Sequence, residues 1–128
     1  MRGIKMNDKP IDELVAEKVM GWIKPPETSI LKAMWVETPI GAVHPQLPKF
    51  STNIEDAWLV VEKLRSLKEI NGEKVRLMPK IIGTEKPNLW ACTVNDFLNY
   101  KCLSEVMNKS APMAICIAAL KAVGEEWQ

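Results

Sequence analysis

His44 is the single histidine of the chain and stands between Val43 and Pro45. Imidazole titrates near neutral pH, so His44 is the first side chain to consider as a general acid or base. That chemistry needs an orienting partner within hydrogen-bond reach, and the flanking sequence shows no sign of one. A lone histidine is also a poor metal site, which calls for clustered His, Cys or carboxylate ligands. The plain reading of His44 is a packing or loop residue, and the sharper one is a ligand contact. Cys92, Cys102 and Cys116 are the remaining candidate nucleophiles. A thiol attacks only when a base or positive charge makes it a thiolate. Cys92 and Cys102 lie in alternating strand patterns and Cys116 in an apolar helix, so burial is expected for all three. An odd count without CxxC spacing fits free thiols in a reducing cytoplasm better than a disulfide framework or a zinc site. GxGxxG, Walker A, HExxH and GxSxG patterns are absent. Neither a cofactor nor a metal is expected.

Binding without chemistry has more candidates. Ser51 and Thr52 precede a helical pattern, and free N–H groups at a helix start favour an anion. Lys63, Arg65 and Arg76, with Lys32 and Lys101, could hold a phosphate. Five tryptophans are many for 128 residues, and tryptophan fills cores or stacks on bases. Trp90 is the one placed to face a pocket. The competing readings are helix capping for Ser51 and Thr52, solvated faces for the cations, and core for Trp22 and Trp58.

The elements that must position these residues follow from periodicity. Residues 10–22 place Ile11, Leu14, Val15, Lys18, Val19 and Trp22 on one helical stripe, apolar except for Lys18, with Pro10, Asp12 and Glu13 in the first turn. Residues 30–37 read as a strand, and 38–50, with three prolines, as an edge strand or ordered loop. Thr52 and Glu55 match a capping box before a helix over about 52–67, whose stripe is Ile54, Ala57, Trp58, Val61, Leu64 and Arg65. Trp58 is therefore expected against the sheet. Asn71-Gly72 is a turn signal, and residues 73–82, 89–96 and 100–108 alternate in part with period two. Three strands joined by short turns, one at Asp96 to Tyr100, predict an antiparallel meander with Pro79 at an edge or bulge. The last helix opens with Ser110 as N-cap and Pro112 in the first turn, and Gly124 can stop it. Between Ser110 and Leu120 the only polar side chain is Ser110 itself. One face can rest on the sheet, but the other needs a second cover, either a helix or another copy of the chain. Ile117, Ala118 and Trp127 are the candidate interface residues for such a copy.

Composition narrows the partners. Hydrophobic residues make up 47%, enough for one packed domain over 1–128. Seventeen Lys and Arg against 16 Asp and Glu leave a net charge of +1, which asks for neither nucleic acid nor an anionic membrane. The N-terminus lacks the apolar segment of a signal peptide, and the longest near-apolar run is too short to span a bilayer. A cytoplasmic protein is expected. The fold class predicted from these elements is α/β (α+β), a layered sandwich with an antiparallel sheet and about three helices, the first two packed beside the last or on the opposite sheet face.

Three segments, "LVAEKVMGW" at 14–22, "FSTNIEDAWLVVEKL" at 50–64 and "SAPMAICIAALKAV" at 110–123, together resemble the phage ABA sandwich family of small bacteriophage and prophage proteins. The resemblance implies a layered α/β/α sandwich and a phage origin, and it brings no catalytic motif. Family members often carry Asp where Asn53 stands and a charged residue where Ile117 stands, so the last helix is more apolar here. Together these readings suggest a phage-encoded binding protein. It would act in counter-defence by sequestering a phosphate-bearing, nucleotide-derived immune signal without cleaving it, in a homo-oligomer. The alternatives are a small hydrolase of such a signal, starting from His44 and a carboxylate, and a protein that binds and regulates a host protein.

Overall fold

The computed structural model describes residues 10–24, 34–37 and 41–125. Lys32 and Trp127 lie outside the described residues. The apolar last helix, α3 (Ala111–Ala122), opens as expected: the Ser110 hydroxyl accepts from the Met113 N–H, Pro112 sits in the first turn, and Gly124 follows in the left-handed region. It occupies the middle of the fold. One side packs on β6 (Trp90–Asp96) and β7 (Lys101–Asn108), α2 (Ile54–Ser66) lies beside it, and α1 (Ile11–Lys18) packs on a further side. Of the twelve residues of α3, only Lys121 is exposed. The second cover is thus supplied by α1 and α2 of the same chain. Ala118 is fully buried, and its carbonyl accepts from the Ser104 hydroxyl at 2.7 Å. It offers no surface to another molecule, which corrects its reading as an interface residue. Ile117 is half-buried against the core.

The sheet is the expected meander, β5 (Leu77–Gly83), β6 and β7, all antiparallel with β6 in the centre. Pro79 falls in edge strand β5, where its missing N–H is tolerated. The inner face presents Leu77, Cys92, Val94 and Val106 to the core. The expected strand over 73–82 divides in two. β3 (Glu69–Ile70) and β4 (Glu73–Lys74) form their own hairpin around Asn71-Gly72, both with positive φ, 51° and 85°, as a primed turn requires. On the far side of α3 from the sheet, α1 is accompanied by a hairpin of β1 (Trp35–Glu37) and β2 (Ala42–His44). The result is a mixed α+β sandwich with three helices among the described residues.

Three local expectations are corrected. The first helix stops at Lys18, four residues early, because Gly21 turns left-handed (φ 77°) and the Trp22 N–H donates back to the Ala16 carbonyl. Asn53, not Thr52, caps α2: its side chain accepts from the Asp56 N–H, and Thr52 is exposed. Trp58 is 49% exposed. The buried stripe of α2 is Ala57, Val60, Val61 and Leu64, rotated away from Trp58, so small Ala57 rather than the indole meets the core.

Urea denaturation should resolve both α2 corrections. Asn53→Ala is expected to cost about 1 kcal/mol and Thr52→Ala much less. Phe50→Ala, at a fully buried ring, should cost roughly 3–5 kcal/mol, and Trp58→Ala clearly less than that.

Candidate binding cleft

The C-terminal end of α2, the β3–β4 hairpin and the turn between β6 and β7 enclose a cleft of about 440 Å³. Arg65, Lys68, Lys74 and Arg76 line it, with Glu69 as the opposing charge. Two of the four, Arg65 and Arg76, are among the cations singled out in the sequence. Arg65 stands on α2 and Arg76 in the link between β4 and β5, and the β3–β4 hairpin brings Lys68 and Lys74 alongside. Phe97, Leu98 and Tyr100 on the β6–β7 turn expose apolar surface, Tyr100 at 91%, and Leu98 itself lines the cleft.

One buried carboxylate organises this region. Asp96 has no accessible surface. Its Oδ1 accepts from the N–H groups of Arg76 at 3.1 Å, Leu98 at 3.0 Å and Asn99 at 3.3 Å. Its Oδ2 accepts from the Asn99 side-chain amide at 2.6 Å, and the same amide nitrogen donates to the Lys74 carbonyl. Asp96 therefore ties the backbones of Arg76, Leu98 and, through Asn99, Lys74 to the end of the sheet. Burial raises its carboxyl, but the Asn99 amide and the three N–H groups outweigh that effect and hold it below the ordinary value.

The other sequence candidates lie elsewhere. Lys63 is half-buried on α2 and does not line the cleft. Lys101 pairs with Glu73 at 3.8 Å. Trp90 is exposed at the opposite end of β6 from Asp96, about 20 Å away. Ser51 is buried, and its N–H donates to Asp12 Oδ1 at 2.9 Å. Ser51 and Thr52 flank the start of α2, where Glu55 and Asp56 already occupy the first turn, so the anions of the chain itself take that helix end. His44 does have a carboxylate partner: its Nε2 lies 3.0 Å from Glu37 Oε1, diagonally across the β1–β2 hairpin. The ring stacks on Trp22 with centroids 4.2 Å apart and planes 3° from parallel, and Trp22 in turn meets Phe50. Phe50 precedes α2, so this cluster and the basic cleft stand at opposite ends of that helix, about 20 Å apart.

Lys68, Lys74, Phe97, Leu98 and Tyr100 were not legible as site residues. The only sequence signal near them is the turn chemistry of Asn71-Gly72 and Asp96 to Tyr100. Among the described residues, no group of three or more His, Cys, Asp or Glu is arranged to hold a metal ion, and no helix is long and apolar enough to cross a membrane. Two thiols are buried as expected, and burial pushes Cys92 up to about 12. Cys116 is raised by burial, with Asp12 and Cys92 adding to it. Both stay protonated at neutral pH and are poor nucleophiles. Cys102 is exposed, against expectation. A bulge between the partners of Val94 and Asn95 inserts Leu103 and leaves Cys102 outside the core.

A thiol titration of native protein should therefore count one fast-reacting cysteine, with the two buried thiols reacting only on unfolding. The depressed Asp96 value makes a second expectation. Its ionised form adds stability above the unfolded-state pKa, roughly 4, and the contribution is lost as pH falls through the lower folded value. Asp96→Asn should be less stable than wild type at pH 7, with the gap narrowing below about pH 4 in chemical denaturation. A gap that stays constant with pH would assign the effect to hydrogen-bond geometry alone.

The family model for the phage ABA sandwich domain matches residues 13–120. No curated protein and no solved structure matches the chain. The match runs from the first turn of α1 to the last turn of α3 and so takes in the cleft and the Asp96 clamp. By this match the chain belongs to the phage ABA sandwich domain family.

Proposed function

We propose that the protein binds a small phosphate-bearing ligand, of the nucleotide-derived signal class, and holds it without chemical change. The observation that carries this reading is the convergence of Arg65, Lys68, Lys74 and Arg76 on one cleft. Guanidinium groups grip phosphate oxygens in pairs, and lysines add point charge. The exposed Phe97 and Tyr100 rings on the bordering turn supply apolar faces for a base, the task first assigned to Trp90. The cleft contains no histidine or cysteine and its one carboxylate is Glu69, a set suited to retention rather than cleavage. Counter-defence by sequestration is the biological role that this chemistry and the phage family suit.

The His44–Glu37 pair supports a second reading, a small hydrolase. A carboxylate-oriented imidazole is the usual start of a general base. Its distance from the cations, which would have to hold a phosphate ester, places it behind the first reading.

A thermal-shift screen with cyclic dinucleotides, cyclic trinucleotides and cyclic ADP-ribose isomers tests both. A ligand at 100 times its Kd should add about 2.7 kcal/mol of stability. Arg76→Ala and Arg65→Ala should remove most of the shift, and His44→Ala should leave it. Ligand released by heating should be intact by mass spectrometry. A cleaved product whose formation needs His44 would favour the hydrolase, and the absence of any shift would leave a host protein as the target.

A further inference from the structure

The face of the β5–β6–β7 sheet turned away from α2 and α3 is exposed among the described residues, and its side chains form cross-strand rows. Lys80, Thr93 and Glu105 make the central row, and Ile82, Ala91 and Met107 the next. Ile82 is 50% and Met107 58% exposed, and they flank a buried Ala91. Lys80 and Glu105 are both exposed, one on each edge strand, with Thr93 between them on β6. A cation and an anion thus stand symmetrically about the central strand, beside an apolar row.

We propose that this face docks on the same face of a second copy of the chain, about a twofold axis parallel to β6. Rotation about that axis lays β5 of one copy over β7 of the other. Lys80 of each copy then faces Glu105 of the other, giving two equivalent ion pairs. The apolar rows coincide, with Ile82 over Met107, and Thr93 lies on the axis. Face-packed sheets sit about 10 Å apart with strands within roughly 30° of alignment, a gap that lysine and glutamate side chains bridge. A twofold axis across the strands would instead set Lys80 on Lys80 and Glu105 on Glu105, which like-charge repulsion disfavours. The charge layout is therefore self-complementary about the axis along β6 and self-repelling about the axis across it, the property a second copy of this chain can use. The face balances its charges, so it has no preference for an anionic membrane or a nucleic acid. It is also small: three strands about 4.8 Å apart give an area at the low end of specific interfaces, and the dimer should be reversible and concentration-dependent.

Sedimentation equilibrium over a wide concentration range tests the pairing, with far-UV circular dichroism to confirm folding. Lys80 and Glu105 are exposed, so their variants should fold. Wild type should dimerise, and added salt should weaken the dimer. Lys80→Glu and Glu105→Lys should each weaken it about tenfold or more, because two attractions become two repulsions. The double variant should return to within about threefold of wild type, since the pairs are restored with reversed sign. Ile82→Glu should leave a folded monomer. A wild type that stays monomeric at the highest concentration, a dimer indifferent to the single charge changes, or a double variant weaker than either single would overturn the proposal.

Discussion

The fold depends on a helix that has no polar side to give to water. Across α3 the charged residue is Lys121, and seven of its twelve residues are buried. A helix apolar all round must be enclosed. The sheet encloses one side, α2 another and α1 a third. Small side chains make this close packing possible, since Ala114, Ala118 and Ala119 let neighbouring backbones approach. The rest of the architecture follows from the same demand. The meander provides an apolar inner face, and α1 with its hairpin completes the cover through Trp22 and Trp35, joined by Phe50 from the segment before α2.

Enclosing α3 leaves the sheet end and the α2 C-terminus as a rim, and the candidate site is built there. Four cations and a single anion line the cleft, so the segments that carry them must be held together against like-charge repulsion. Asp96 does this at the backbone level, by accepting the Arg76 N–H and engaging Lys74 through Asn99. Its own charge is compensated by hydrogen bonds rather than by a cation, so the lysine and arginine heads stay available for a ligand. Burial of an ionised carboxylate is tolerated only with such compensation.

The aromatic cluster of Trp22, His44 and Phe50 shows a different use of polar chemistry. Stacking His44 on Trp22 covers the indole, while Glu37 satisfies the imidazole nitrogen at the edge. This arrangement locks the β1–β2 hairpin onto the end of α1. A histidine with a carboxylate partner serves packing here, far from the cations of the cleft.

Much of the local structure was determined by the sequence alone. Ser110, Pro112 and Gly124 bound α3, Asn71-Gly72 set a primed turn, and the three alternating segments formed the meander. These are short-range effects: a cap, a permitted φ and a period of two act within a few residues. Tertiary structure decided the rest. The rotation of α2 was ambiguous because Ile54, Ala57, Trp58 and Val61 continue one apolar stripe on either side, and only packing against the sheet turned Trp58 outward. The exposure of Cys102 depended on a bulge that no residue type announces. The meeting of Arg65 with Arg76 joins a helix to a link between strands, and that of His44 with Glu37 joins opposite strands. Such contacts are set by how the elements enclose α3, because spacing along the chain carries no information about distance once the chain turns back on itself.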